Sequence, residues 1–292
     1  MQDIVYLNGS FVPREQAVVS VEDRGYQFAD GIYEVTKFYG HTPFRLRQHL
    51  ERLERSAGFM GITGTLSISE WEGVIAELME RCELPADPAS EYTLYQQVTR
   101  GVYPRAHLFP RGPHQPASIA YFRKAPVYQP ELREEGIALS AQPDERWNRC
   151  CIKTICLLPA IWAKQAAVNA GANEAVLVRD GIVTEGASTN TFCIIGGEIL
   201  THPEGGRILS GVTRQVVFEA AERAGIKVTE RPVTLEELVA AQEVFVSSTT
   251  MGIMPVSRVD DAVIGAGCAG PMTRRLARAM GEIVEEDLAA AR

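Results

Sequence analysis

The sequence predicts two domains of mixed helices and strands, α+β or α/β in class, on three observations. The chain has 292 residues, too many for one small core and suited to one large or two medium domains. Helix-periodic and strand-rich segments alternate along it. The stretch from Lys124 to Glu135 holds Pro126, Pro130 and little periodicity, so it reads as a linker. The division expected is a small N-terminal α+β domain over residues 1–124, a linker over 125–135, and a larger C-terminal domain over 136–292.

Each element has its own signal. Leu46, Leu50, Leu53 and Ala57 repeat at helical spacing and mark a buried stripe. Ser69 and Glu72 have capping-box spacing ahead of Trp71, Ile75, Leu78, Met79 and Cys82. Tyr92 to Thr99 is rich in strand formers. Pro159 opens a helix that Gly171 closes. Ala175 to Arg179 and Ile182 to Thr184 flank Asp180-Gly181, a two-residue hairpin signal. Thr191 to Ile195 is a strand ending at Gly196-Gly197. Further helices are expected from Thr213 to Gly225 and from about Thr273 to Leu288, and Val244 to Val246 is a short strand between them.

Composition narrows the class. Twenty-nine Lys and Arg against 37 Asp and Glu give a net charge of −8, which supplies no broad attraction to nucleic acid. The first residues, Met1-Gln2-Asp3-Ile4, lack the basic and apolar pattern of a signal peptide. The apolar run from Ile155 to Ala163 is about half of the ~20 residues a membrane span needs. A cytoplasmic protein is expected. The six cysteines form no C-x-x-C pair and the histidines no H-E-x-x-H, so no metal site is expected and the thiols read as buried and reduced.

Six segments carry candidate chemistry. Lys153 lies in the apolar stretch from Cys150 to Leu158. It is either a lysine with a buried stem and an amine in water or a Schiff-base lysine activated by desolvation. Glu185 ends a hairpin strand before Gly186, Ala187, Ser188, Thr189 and Asn190. It is either an exposed turn acid or the carboxylate partner of a pyridinium nitrogen. Ile208 to Arg214 feeds a helix N-terminus, and Ser247 to Thr250 follows a strand; both are ordinary caps and turns, or together an anion cup. Arg52 lies off the apolar stripe of its helix and is a solvated side chain or a phosphate partner. Arg105 and His107 point to one side if their segment is extended, as Tyr103 before Pro104 favours. They suit a carboxylate.

Taken in order, the motifs Glu22-Asp23-Arg24-Gly25-Tyr26-Gln27-Phe28-Ala29-Asp30-Gly31-Ile32-Tyr33-Glu34, Val98-Thr99-Arg100-Gly101, Pro104-Arg105-Ala106-His107, Thr184-Glu185-Gly186 and Gly211-Val212-Thr213-Arg214 resemble the class IV, fold-type IV aminotransferases. The likeness continues to Ser247-Ser248-Thr249-Thr250 and is strongest to the branch acting on D-amino acids. It implies a C-terminal pseudo-barrel domain, pyridoxal 5'-phosphate as cofactor and a homodimer with shared active sites.

The resemblance also implies roles. Lys153 looks like the cofactor lysine and proton shuttle, and Glu185 like the pyridinium partner. Arg52, Val212, Thr213 and Thr249 look like the phosphate cup, and Leu209 like the residue packed on the ring. Ser188, Thr189 and Asn190 resemble the stretch flanking the cofactor. Tyr33, Arg105 and His107 look like the substrate-carboxylate trap, the last two reaching in from the neighbouring subunit. The implied reaction is amino transfer from a D-amino acid to a 2-oxo acid. Branched-chain L-amino acid and (R)-amine transaminases, and a lyase resembling aminodeoxychorismate lyase, are alternatives on the same scaffold, and a non-catalytic binder of the cofactor is an alternative of another kind. The chain departs from the pattern at Cys156, where asparagine is usual, at Ala187, where serine is common, and at Cys151, where relatives carry an acid.

Overall fold

Alternation of apolar and polar residues along nine-residue runs builds a sheet with one face buried under helices. The computed structural model describes residues 1–112 and 114–290. Two compact units emerge. The first comprises Met1–Ala125, Ile152–Cys156 and the end of the last helix from Asp287; the second comprises Pro126–Cys151 and Leu157–Glu286.

The first unit holds β1 (Ile4–Leu7), β2 (Ser10–Pro13), α1 (Arg24–Phe28), β3 (Gly31–Tyr39), β4 (Thr42–Pro43), α2 (Leu46–Met60), α3 (Ile68–Arg81), β5 (Glu91–Thr99) and β6 (Ala117–Lys124). Its strands form an antiparallel six-stranded sheet in the order β2-β1-β6-β5-β3-β4. The stripe on α2 is buried as its spacing requires, with Leu50, Leu53 and Ala57 packed among Phe38, Trp71, Leu78, Leu94 and Phe122. The capping box of α3 is Ser67 with Glu70, two residues before the predicted pair. Ser67 has the extended backbone an N-cap needs, whereas Ser69 already lies within the helix. Residues 152–156 lie along the start of β3: Tyr33 N–H donates to the Lys153 carbonyl at 3.0 Å and Ile155 N–H to the Gly31 carbonyl at 3.1 Å.

The second unit holds α4 (Glu131–Glu135), β7 (Ile137–Pro143), α5 (Leu158–Asn169), β8 (Glu174–Arg179), β9 (Ile182–Gly186), β10 (Asn190–Ile195), β11 (Glu198–Thr201), α6 (Val212–Arg223), β12 (Val228–Glu230), β13 (Val233–Thr234), α7 (Leu235–Val239), β14 (Glu243–Ser248), β15 (Gly252–Val259), β16 (Ala262–Val263) and α8 (Pro271–Ala290). The main path of its mixed sheet runs β12-β11-β10-β14-β15-β7-β8-β9-β13, with β16 paired to β15. The β7–β8, β7–β15 and β11–β12 pairs are parallel. The β8–β9 hairpin turns at Asp180 and Gly181 with φ of 55° and 77°, the two positive values a type I′ turn demands. Its core gathers Leu139, Val176, Val244, Val246, Met254 and Val256.

Two expectations need correction. The stretch read as a linker contains α4, a short helix opened by Pro130, too brief to show a periodic signal. The thiols are all free, but Cys151, Cys156 and Cys268 are exposed, and only Cys82, Cys150 and Cys193 are buried. No helix among the described residues is long and apolar enough to cross a membrane.

Candidate active site

In the first unit, β3 presents residues of opposite character on its two faces. Tyr33 stacks on Tyr95, with ring centroids 5.9 Å apart, and the Lys153 amine lies 4.3 Å from the centre of the Tyr33 ring. Lys153 is half-buried, and its amine makes no hydrogen bond or ion pair among the described residues. The residue after Tyr33, Glu34, is wholly buried. Arg52 from α2 grips it with two nitrogens, Nε to Oε1 at 2.7 Å and Nη2 to Oε2 at 2.9 Å. His49 donates from Nδ1 to Oε2 at 2.8 Å. Burial alone pushes the Glu34 carboxyl up, but Arg52 and His49 outweigh it and hold the group well below the ordinary carboxylate range. The His49 ring is pushed down by burial, against the pull of Glu34. Arg52 is therefore no solvated side chain: its position off the Leu46–Ala57 stripe turns it toward a buried acid.

Arg105 and His107 are exposed and meet on one ring. The Arg105 guanidinium lies 4.8 Å from the centre of Phe28, and the His107 ring meets Phe28 edge-on at 5.8 Å and 72°. Both therefore contact Phe28, although the segment forms no strand. Cys156 Sγ lies 3.6 Å from the Ala29 carbonyl, and although the residue is exposed, partial desolvation of the thiol raises it above the usual value.

In the second unit, Glu185 closes β9 and is buried, so it is not an exposed turn acid. Its Oε1 accepts from Arg146 Nη1 at 2.5 Å. Its Oε2 accepts from Asn190 Nδ2 and from the Leu209 N–H, both at 3.0 Å. Burial pushes the Glu185 carboxyl up, opposed by Arg146 and the Leu209 N–H. Arg146 in turn holds Asp144 through Nε and Nη2 at 2.9 and 3.0 Å. A carboxylate has about four lone-pair sites, so Glu185 keeps capacity for one more donor.

Val212 and Thr213 open α6, whose N-cap, Gly211, offers no side chain to the free N–H groups. That end is an anion site in waiting. A Cβ at Gly211 would collide with Asn190 Oδ1 unless that side chain shifted. Arg214 is buried and held by Glu230 at 2.5 Å, which fixes the first turn. Ser188 is engaged by Glu174, its Oγ donating to Oε2 at 2.8 Å. The hydroxyls of Thr189 and Ser247 are buried without a partner among the described residues. Asn190, the residue after Thr189, pairs with Ser247 across β10 and β14. Thr249 lies in the turn after β14. A bare helix N-terminus, orphaned hydroxyls and a buried acid with spare acceptor capacity fit a phosphorylated, nitrogen-containing ring.

The sequence reading missed Arg146, Glu34 and His49. Glu34 carried a signal, since its period-two neighbours Ile32 and Thr36 mark an inward face where an acid needs a partner. Arg146, between Glu145 and Trp147, looks like any surface arginine.

The amino-transferase class IV family model matches residues 31–259, and the chain belongs to that family. A D-alanine aminotransferase of Bacillus licheniformis is 39% identical over 277 residues, 94% of this chain and 95% of that protein. The branched-chain amino acid aminotransferase of Escherichia coli superposes with a TM-score of 0.88 at 25% identity, over 97% of this chain and 95% of that one. That of Thermoproteus uzoniensis, solved with norvaline, gives 0.85 at 27% identity over 98% and 96%. The protein is an aminotransferase with the fold-type IV architecture.

Proposed function

We propose that the protein is a pyridoxal-5'-phosphate-dependent transaminase of the cytoplasm, working as a homodimer. It moves the amino group of a D-amino acid such as D-alanine or D-glutamate to 2-oxoglutarate or pyruvate in two half-reactions. The observation that carries the reading is the meeting of Arg105 and His107 on one ring, which sets two carboxylate-binding groups side by side. The 39% identity to a D-alanine aminotransferase supports it.

Bound pyridoxal phosphate supplies an aldehyde for a lysine and a conjugated ring that takes up the electron pair of a deprotonated Cα. The protein's own groups do the rest. Lys153 Nζ would hold the cofactor through its aldehyde and would carry the proton of the substrate Cα. Glu185 accepts the ring N–H and keeps that nitrogen cationic. Arg52, the N–H of Val212, Thr213 and Thr249 hold the phosphate. Leu209 packs against the ring, flanked by Ser188, Thr189 and Asn190. Tyr33, with Arg105 and His107 of the neighbouring subunit, takes the substrate carboxylate. In either hand Cα–H must face Lys153, so exchanging the carboxylate and side-chain pockets inverts the enantiomer accepted.

Coupled turnover of D-alanine with 2-oxoglutarate, with L-leucine as control, tests the reading. D-alanine turnover well above L-leucine is expected. Faster L-leucine turnover would establish a branched-chain enzyme instead, the reading that the likeness to the Escherichia coli enzyme favours.

A further inference from the structure

The residues from Val102 to Gly112 form no helix or sheet, and from Arg105 to Phe109 every side chain is exposed. Two long side chains in such a loop lose much rotamer freedom when they grip a ligand together, which weakens binding unless something pre-arranges them. Several contacts hold the loop. Arg24, buried in α1, pairs through Nε with Asp30 at 2.8 Å. It donates from Nη1 to the carbonyl of Ala106 at 2.6 Å, the residue between Arg105 and His107. Asp30 also binds Arg100, whose guanidinium lies 3.9 Å from the centre of the Phe109 ring. Above Arg24, 4.8 Å from its guanidinium, is the Phe28 ring, and on that ring both Arg105 and His107 rest.

We infer that Phe28 is a positioning residue for substrate binding: its ring sets the spacing of Arg105 and His107 while Arg24 pins the backbone between them. The inference rests on the reading of Arg105 and His107 as carboxylate ligands. The Phe28 ring meets two guanidiniums, those of Arg24 and Arg105, and the His107 imidazole at a steep angle, so an aliphatic side chain of similar bulk fills the space without holding these groups.

The test is steady-state kinetics of the holoenzyme with D-alanine and saturating 2-oxoglutarate. Phe28→Leu should raise KM for D-alanine roughly three- to tenfold with kcat little changed. The visible absorbance of the bound cofactor should be unaltered, and Phe28→Tyr should restore the wild-type KM. In the Arg105→Leu background, Phe28→Leu should raise KM by less than it does in the wild type, the non-additivity of groups acting together. Phe28→Met carries the same expectation and serves if the leucine variant does not fold. An unchanged KM in Phe28→Leu, a parallel loss of kcat, or effects of the two substitutions that simply multiply would overturn the inference while Arg105→Leu still raises KM. If Arg105→Leu itself leaves KM unchanged, the carboxylate reading fails, and the inference with it.

Discussion

Arg146 Nη1 donates to Glu185 Oε1 at 2.5 Å, and the same guanidinium holds Asp144. Two buried carboxylates thus share one half-buried cation, with Arg179 also 3.2 Å from Asp144, and the acid proposed to face the cofactor ring is kept in place by a residue that the proposed chemistry does not use. Arg146→Met leaves Glu185 and Asp144 without that cation. Stranding a buried charge costs about 3–5 kcal/mol, and the Glu185 carboxyl, already raised by burial, should rise further. Urea unfolding of the apo-protein should show an earlier midpoint, and the holoenzyme should lose cofactor on dialysis. A wild-type midpoint would show that the pair contributes nothing.

Replacing Glu185 by glutamine keeps the shape and removes the negative charge. If this acid keeps the ring nitrogen cationic, turnover of D-alanine should fall on the order of 10²-fold or more, with cofactor still bound. Retention of wild-type kcat by Glu185→Gln would remove Glu185 from the chemistry.

Gly211→Ala should weaken cofactor retention, because the added methyl collides with Asn190 Oδ1, and Asn190 also bonds Glu185. Overpacking of this kind costs about 1–3 kcal/mol. Gly58→Ala in α2 is the control: a Cβ there meets nothing, and alanine in a helix interior is favoured over glycine by about 0.5–1 kcal/mol. Thermal melts and cofactor titrations of both variants separate a local clash from a general effect.

His49 gives a pH signature. Burial lowers its pKa in the folded protein from the ordinary 6.5, so the unfolded chain binds the proton more readily. Its contribution to stability is full above pH 6.5 and is lost as pH falls from there through the lowered folded value. Tm of the wild type should therefore drop between pH 7 and pH 5.5, measured against His49→Gln, whose curve should be flatter. Parallel curves would mean that His49 does not titrate with unfolding.

The fold was legible where periodicity is long. The α2 stripe, the β8–β9 hairpin and the strand of Tyr92 announce themselves through spacing and turn chemistry, which are local. α4 was not legible, because five residues carry no period. Lys153 and Glu185 were visible as charges in apolar or hydroxylic surroundings, and a family resemblance was needed to choose between their readings. Glu34, His49 and Arg146 were invisible as a set, since their partners lie on separate segments and pairing is made only by tertiary packing. The support of Arg105 and His107 by Phe28 and Arg24 is of the same kind: Arg24 and the Ala106 carbonyl it holds are 82 residues apart in the chain.

The central claim is that the Lys153 amine forms the covalent bond to the cofactor. Purified protein is loaded with pyridoxal phosphate, reduced with borohydride, digested and analysed by mass spectrometry. The account predicts the reduced cofactor on the peptide containing Lys153, and a colourless, inactive Lys153→Ala variant. An unmodified Lys153 peptide from protein that turns over D-alanine, or a Lys153→Ala variant that keeps both colour and turnover, would contradict it.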